Sequence, residues 1–405
     1  MKYDFDEIID RSHTNALNTE GFRGYIFKAG PDKVFPWKDE EFIRMWVADM
    51  EFAVAPEIRD AVKERIDRRI FGYTGVYDDE YYSVFSGWCR EHYDWSFPKE
   101  ELTFSPGIIP ALFQLVETLC GEGEKVLITT PSYGYFAHAA NYSGAGLLTS
   151  PLKRDASGHF TMDLEDLERK ASDPAAKVLV FCNPHNPTGR MWTEEELGAV
   201  AEIVEKHDLW IISDEIHCDL IRAGKKHIPT GKVMKDYPKL VTCMSASKTF
   251  NMAGLQFSNI IIRDPALRKA FKRADKIGGF VNPLSLTAQQ AAYAAGRPWH
   301  EEMKAYLDEN FRYLKDFMKV YLPEAVMEVP EATYLAWVDL SAYFGEDEDL
   351  PEFFAYKAGV LLEGGDELFV GNANRFVRLN LAMPRELIQT GLERMRDAIR
   401  AKENG

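Results

Sequence analysis

Residues 240–256 run LVTCMSASKTFNMAGLQ: an apolar, β-branched segment that ends abruptly in hydroxyls and a single lysine. Lysine is ordinarily a solvated surface residue. Lys248 instead follows a strand-like run, is flanked by Ser245 and Ser247, and precedes apolar residues and a glycine. Partial desolvation there lowers an amine's pKa toward the range in which it attacks a carbonyl. The two serines have hydroxyls to offer a phosphate. Open α/β sheets gather their ligands just beyond the carboxyl ends of their strands, so the position of the lysine matters as much as its chemistry.

The same alternation extends outward on both sides. Between about residues 100 and 265, short β-branched runs (KVLITT, KVLVFCN, LWIISDE, LVTCMSAS, FSNIIIRD) alternate with helical periods such as TEEELGAVAEIVEKH, whose Thr193 is placed to cap its helix. This pattern predicts βα units and a mainly parallel sheet. After about residue 290 come a long charged helix, PWHEEMKAYLDENFRYLKDFMKVYL, two strand-like runs, ATYLAWVDL and RFVRLNLAM, and a last helix, which read as a smaller α+β domain. The first fifty residues, aromatic and rich in Gly and Pro, cannot form a core alone. They are expected to pack on that smaller domain or on a partner subunit.

Three further segments fall at strand ends or in the loops that follow. In LWIISDEIHCD (209–219) an apolar strand runs into Asp214. A buried carboxylate needs a positive partner, and a protonated pyridine nitrogen is one; Asp219, further along, is expected to matter much less. A metal site is the competing reading of His217, Cys218 and the carboxylates, but no second cluster with ligand spacing occurs. FCNPHNPTGRMWTEEEL (181–197) has the Asn, Pro and Gly of a turn, and its prolines hold two asparagines rigidly enough to meet a phenolic oxygen. LTFSPGIIPALFQLVETL (102–119) is a turn opening into an apolar-faced helix, whose first free N–H groups, at Gly107, Ile108 and Ile109, suit a phosphate.

Composition narrows the function classes. A chain of 405 residues exceeds one ordinary core, so roughly two or three domains are expected. Apolar residues make up 46% and charged residues 28%, as in a soluble globular protein. The net charge of −16 repels nucleic acid and anionic lipid, so neither is expected as a partner. The N-terminus, MKYDFDEIIDR, lacks a basic region followed by a long apolar one, and no apolar run approaches the roughly 20 residues of a membrane helix. Five scattered cysteines without a CxxC pair point to reduced thiols and a cytoplasmic location.

Read together, SPG, the aromatic after PSY, NPHNPTG, DEIH and SASK stand in an order that resembles the fold type I pyridoxal 5′-phosphate (PLP) enzymes of the class I/II aminotransferase superfamily. WVADMEF (46–52), FGYT (71–74), DEIHCD, SASKTFNMAGLQ and RFVRLN (375–380) are similar to the bacterial cystathionine β-lyase, or C-S lyase, branch. The resemblance spans nearly the whole chain. It implies an α/β fold with a mainly parallel seven-stranded sheet in a large domain over residues 50–290, and a small α+β domain formed by 1–49 and 291–405. It also implies a homodimer with shared active sites.

By the same resemblance Lys248 holds PLP as a Schiff base and Asp214 pairs with the pyridine nitrogen. Asn186 and His217 contact the ring hydroxyl, Tyr133 stacks on the ring, and Tyr73 reaches the neighbouring subunit's phosphate. Arg378 grips the carboxylate of a small amino-acid substrate. The strand pattern agrees on Arg378, since Val377, Leu379 and Leu381 fall on one face of FVRLNLAM and leave Phe376, Arg378 and Asn380 on the other. A guanidinium can bind a carboxylate through two hydrogen bonds. Many aminotransferases carry an arginine eight residues after the Schiff-base lysine; here Gln256 stands there, as in the lyase branch. The implied activity is β-elimination from cystathionine or a related cysteine S-conjugate. The alternatives are an aminotransferase, which shares the cofactor motifs, and a regulatory binding protein that keeps the fold.

Overall fold

The computed structural model of the protein describes residues 2–274, 279–366, 368–371 and 373–404. Seven strands form the main sheet: β1 (Leu102–Ser105), β2 (Lys125–Thr130), β3 (Gly146–Pro151), β4 (Ala176–Cys182), β5 (Trp210–Asp214), β6 (Leu240–Met244) and β7 (Ser258–Ile262). Their spatial order is β1-β7-β6-β5-β4-β2-β3. From β6 to β3 every neighbouring pair is parallel, while β7 runs antiparallel to both β6 and β1. The expected mainly parallel α/β sheet of seven strands is therefore present, with β7 as its reversed member.

The central strands read as unbroken apolar runs because both faces of the sheet are covered. Alternate residues part into two cores: Val126, Ile128, Val178, Val180 and Ile212 pack on one side, and Leu127, Leu179, Phe181 and Ile211 on the other. Helix α1 (Ile108–Leu119) covers the first face through Ala111, Leu112 and Leu115, and α2 (Glu194–Lys206) covers the second through Leu197, Val200 and Val204. Thr193 caps α2 as its sequence predicts: its hydroxyl accepts the Glu196 N–H at 3.2 Å, and the Glu196 carboxylate accepts the Thr193 N–H at 2.8 Å. After β6 the chain turns at once into a short helix, α3 (Ala246–Thr249).

A single long helix, α4 (Arg297–Tyr321), spans about 38 Å at 1.5 Å per residue and belongs to two cores. Trp299, Met303 and Tyr306 pack with Phe52 and Phe250, while Phe311, Leu314 and Phe317 pack with the C-terminal elements. Those elements are an antiparallel sheet in the order β8-β10-β9, made of β8 (Leu335–Asp339), β9 (Glu363–Gly364) and β10 (Phe376–Asn380). Helices α5 (Leu350–Ala358) and α6 (Arg385–Asn404) cover it. The N-terminal segment is divided between the first of these cores and a smaller aromatic cluster of its own. Phe5 packs edge-on to Phe52 and Trp299, whereas Phe22, Ile26, Phe35, Phe42 and Trp46 cluster with Ala355 and Leu361. No described helix is long and apolar enough to cross a membrane.

Candidate active site

The carboxyl ends of the parallel strands deliver their following residues to one cavity, lined among others by Gly107, Tyr133, Asn186, Asp214, Lys248 and Arg378. The first five, spread over some 140 residues, converge because the sheet is mainly parallel and its loops emerge on one side, and Arg378 is brought to them by the C-terminal antiparallel sheet.

Lys248 sits in α3, half-buried at the cavity floor, where its ammonium donates to the Ala48 carbonyl. Tyr334 donates to the same carbonyl at 2.7 Å. Burial, seconded by Arg378, lowers the pKa of Lys248 against the opposing pull of Asp49, Glu363 and Asp214. Asp214 ends β5 with its carboxyl buried and receives one N–H, from Ile216 at 3.1 Å. Burial raises its pKa to about 7, since one hydrogen bond does not replace lost water. His217 is buried too, its pKa lowered to about 3 by burial and by Lys248 and Arg378. Its Nδ1 has no hydrogen-bond partner among the described residues.

At the head of α1, Gly107 caps the helix and the N–H groups of the first turn face the cavity without intrahelical acceptors. Pro110 has no N–H to satisfy, and a Cβ at Gly107 would come within 3.1 Å of its ring. Tyr133 lies on a two-residue strand paired with Phe369–Val370, its ring 5.2 Å from that of Tyr135. Ser247 also lines the cavity. Ser245 is not brought there: it lies buried behind Ser247, donating to the Phe257 carbonyl at 2.7 Å and accepting the Ser247 N–H at 3.1 Å. Its hydroxyl is spent on holding the turn. Tyr73 is 91% exposed, with its ring 5.1 Å from that of Phe280, and does not reach this chain's own cavity.

Arg378 is almost wholly buried. Val377 and Leu379 pack into the C-terminal core, and Arg378 points the opposite way, as strand alternation requires. Its Nη1 donates to Asn186 Oδ1 at 3.2 Å, and its Nη2 to Glu363 and, at 3.4 Å, to the Trp46 carbonyl. Its Nε has no partner among the described residues. The guanidinium also lies over the Phe369 ring, 5.1 Å from its centroid.

Glu363 and Tyr25 are among the cavity residues that escaped the sequence reading. Glu363 is the register partner of Arg378 across β9 and β10 and forms a buried ion pair with it. The signal existed, because Glu363 ends the apolar run VLL just as Asp214 ends WIIS. Tyr25, from the short helix Phe22–Phe27, enters beside Glu363 and Tyr133 and carried no such mark. The other polar residues of the motifs turn away. Asn183 donates to the Ile228 carbonyl at 3.0 Å, His185 meets Thr188 at 2.8 Å, and Cys218 accepts from Tyr93 at 3.2 Å.

Comparison with known proteins follows the same outline. The model of the aminotransferase class I and II family matches residues 40–395. Among curated relatives, cystathionine β-lyase PatB of Bacillus subtilis is 39% identical over 88% of this chain and 92% of its own length. The MalY protein of Escherichia coli is 32% identical over 98% of this chain and 99% of its own length. Among solved structures, the PLP-bound C-S lyase from Staphylococcus hominis in complex with L-cycloserine superposes with a TM-score of 0.94 at 46% identity, covering 98% of both chains. With the sheet order, the lysine after β6 and the match over nearly all of its length in agreement, the chain belongs to the aminotransferase class I and II family.

Proposed function

We propose that this protein is a carbon–sulfur β-lyase that uses PLP to cleave L-cystathionine or related cysteine S-conjugates into pyruvate, ammonia and a thiol. The observation that carries this reading is one cavity holding an amine of lowered pKa, a buried carboxyl without a cation, an unpartnered imidazole nitrogen and a buried arginine. These residues fit PLP. Asp214 lacks a positive neighbour in contact and would pair with the pyridine nitrogen. The free Nδ1 of His217 and the side chain of Asn186 would meet the ring hydroxyl. The first-turn N–H groups at Gly107, Ile108 and Ile109, with Ser247, would hold the phosphate. Ser245 would act indirectly, by fixing Ser247, and Tyr133 would cover the ring.

Bound there, PLP supplies an acceptor for the electrons released at the substrate Cα. Arg378 orients the substrate by its α-carboxylate, using the unpaired Nε and the Nη2 donor whose contact to Trp46 is long enough to exchange. Lys248, once free as an amine, removes the Cα proton, and burial, by lowering its pKa, favours the neutral form that this step needs. The Cβ–S bond then breaks with its electron pair on sulfur, which takes up a proton as the thiol leaves. The released aminoacrylate adds water and falls to pyruvate and ammonia.

The active unit we propose is a cytoplasmic homodimer. Phe71, Tyr73, Tyr77 and Phe280 are large exposed aromatics, and the rings of Tyr73 and Phe280 lie 5.1 Å apart. A second copy would cover these rings and receive Tyr73. All five cysteines are free and buried, in keeping with a reducing compartment.

Incubating the purified holoenzyme with cystathionine tests the reading: pyruvate, ammonia and homocysteine should form in equal amounts through many turnovers, and borohydride should fix the cofactor on the peptide containing Lys248. Keto-acid-dependent amino transfer as the dominant turnover, or a label on another lysine, would overturn it.

A further inference from the structure

Arg378 and Glu363 face each other across β10 and β9, both almost fully buried and joined as an ion pair. In a cavity meant to receive a carboxylate this is an unexpected arrangement, because the arginine's charge is already matched before any substrate arrives. The charged side chains lining the cavity are Lys248 and Arg378 on one side of the balance and Asp214 and Glu363 on the other. Asp214 lies at the end of β5 in the sheet, whereas Glu363 stands with Tyr25 and Val47 on the wall supplied by the C-terminal sheet and the N-terminal segment. His217 adds no positive charge near neutrality. The next cation, Lys28, is exposed to solvent; its ammonium donates to the Tyr25 carbonyl at 2.6 Å and acts on Glu363 only from outside the buried wall.

We infer that Glu363 is a specificity-determining residue: it makes the substrate side-chain region reject a second carboxylate and favour a neutral or ammonium-bearing S-substituent. The inference rests on the lyase reading for the place of the α-carboxylate at Arg378. With that carboxylate bound, one guanidinium is shared by two anions. A further carboxylate on the substrate side chain meets Glu363 in a poorly solvated space with no buried cation left to pair, and like charges there repel strongly. An ammonium in the same place gains the Glu363 carboxylate and the nearby Tyr25 hydroxyl. A cystathionine side chain ends in both charges and so carries its own compensation. Dicarboxylic amino acids, the acidic substrates a transaminase would need a second cation for, are turned away by this wall.

The test uses amino acids that share one chain length, differ in terminal charge and contain no sulfur, so that no elimination complicates binding. L-Lysine, L-norleucine and L-2-aminoadipate are titrated into the PLP-loaded protein by calorimetry. In the unaltered protein 2-aminoadipate should bind at least about tenfold more weakly than lysine, with norleucine between. In Glu363→Gln the ratio should shrink to within about threefold, chiefly through tighter binding of 2-aminoadipate, and Glu363→Asp should keep the original order. Equal affinities for lysine and 2-aminoadipate in the unaltered protein would overturn the inference, as would a tenfold ratio surviving in Glu363→Gln. Should Glu363→Gln fail to fold, Glu363→Ala, equally neutral, takes its place with the same expected and overturning ratios. None of these measurements depends on pyruvate formation, so loss of the lyase reading and loss of charge selection are separately visible.

Discussion

Asp214 and Glu215 are consecutive residues at the end of one strand, yet their carboxylates have opposite surroundings. Asp214 faces the cavity with one N–H donor, while Glu215 is completely buried and takes Ser213 Oγ at 2.9 Å, the Thr230 N–H at 2.9 Å and His227 Nε2 at 2.8 Å. Alternation along an extended chain separates them. Their variants should therefore fail differently. Asp214→Ala should weaken PLP binding at least tenfold while the cofactor-free protein melts within a few degrees of the parent. Glu215→Ala strands three buried partners and should cost roughly 3–5 kcal/mol of stability. Equilibrium dialysis against PLP, paired with thermal melts of the cofactor-free proteins, separates the two; a common pattern for both variants would refute the division.

Asp219 extends the same contrast. It is expected to matter much less than Asp214 to the cofactor, and its carboxylate is committed to the protein instead: it is buried and accepts from Trp88 Nε1 at 2.9 Å, from Thr249 Oγ1 at 2.9 Å and from the Tyr93 hydroxyl. Thr249 adjoins Lys248, so Asp219 anchors the turn that carries the lysine. Asp219→Ala should lower stability by about 3 kcal/mol or more, measured by denaturant titration. Asp219→Asn, which keeps an acceptor, should recover part of the loss. An Asp219→Ala protein as stable as the parent would show the network to be dispensable.

What the sequence disclosed follows from local pattern. The apolar runs that end in a single polar residue, such as LVTCM before SASK and WIIS before Asp214, place the chemistry at strand ends, and alternation in RFVRLN gives the direction of Arg378. Ser245 and Glu363 needed the tertiary structure. Whether a serine beside the lysine faces the ligand or closes its own turn depends on the Phe257 carbonyl, twelve residues away in sequence. Glu363 owes its meaning to a strand register with Arg378 that no local spacing encodes. The N-terminal segment is legible as unable to fold alone, but its division depends on tertiary contacts: Phe5 meets Trp299 of α4, whereas Phe22, Phe35 and Trp46 meet Ala355 and Leu361 of the C-terminal elements.

Tyr73 supplies a test of the proposed dimer. Its ring is almost fully exposed beside that of Phe280, a poor use of an aromatic unless something covers it. Tyr73→Phe and Lys248→Ala subunits, each inactive alone, should regain measurable activity when refolded together, because one of the two sites in a mixed dimer would have both residues intact. Sedimentation of the parent as a fully active monomer would contradict the arrangement.

Asp214 and His217 give the cofactor-free protein opposing dependences on pH. Burial raises the Asp214 carboxyl to about 7, against about 3.9 for an unfolded aspartate. Between those values the folded chain holds a proton that the unfolded chain has lost, so this group's contribution to stability is complete below pH 4, declines as pH rises and levels off above pH 7. His217 acts in the opposite sense: its folded pKa of about 3 lies below the ordinary 6.5, so its contribution is present above pH 6.5 and is lost as pH falls. The two oppose each other between pH 4 and 6.5, which would leave the parent's own profile uninformative. Asp214→Asn isolates the first term, because an amide cannot ionise. Without cofactor, the variant should gain on the parent by about 2–3 kcal/mol between pH 5 and pH 8. Adding PLP should reverse the order at pH 8, since the pyridine nitrogen then gives the ionised carboxylate its missing cation. Parallel stability profiles for the two cofactor-free proteins across that range would show that Asp214 is not the strained acid the cavity makes it.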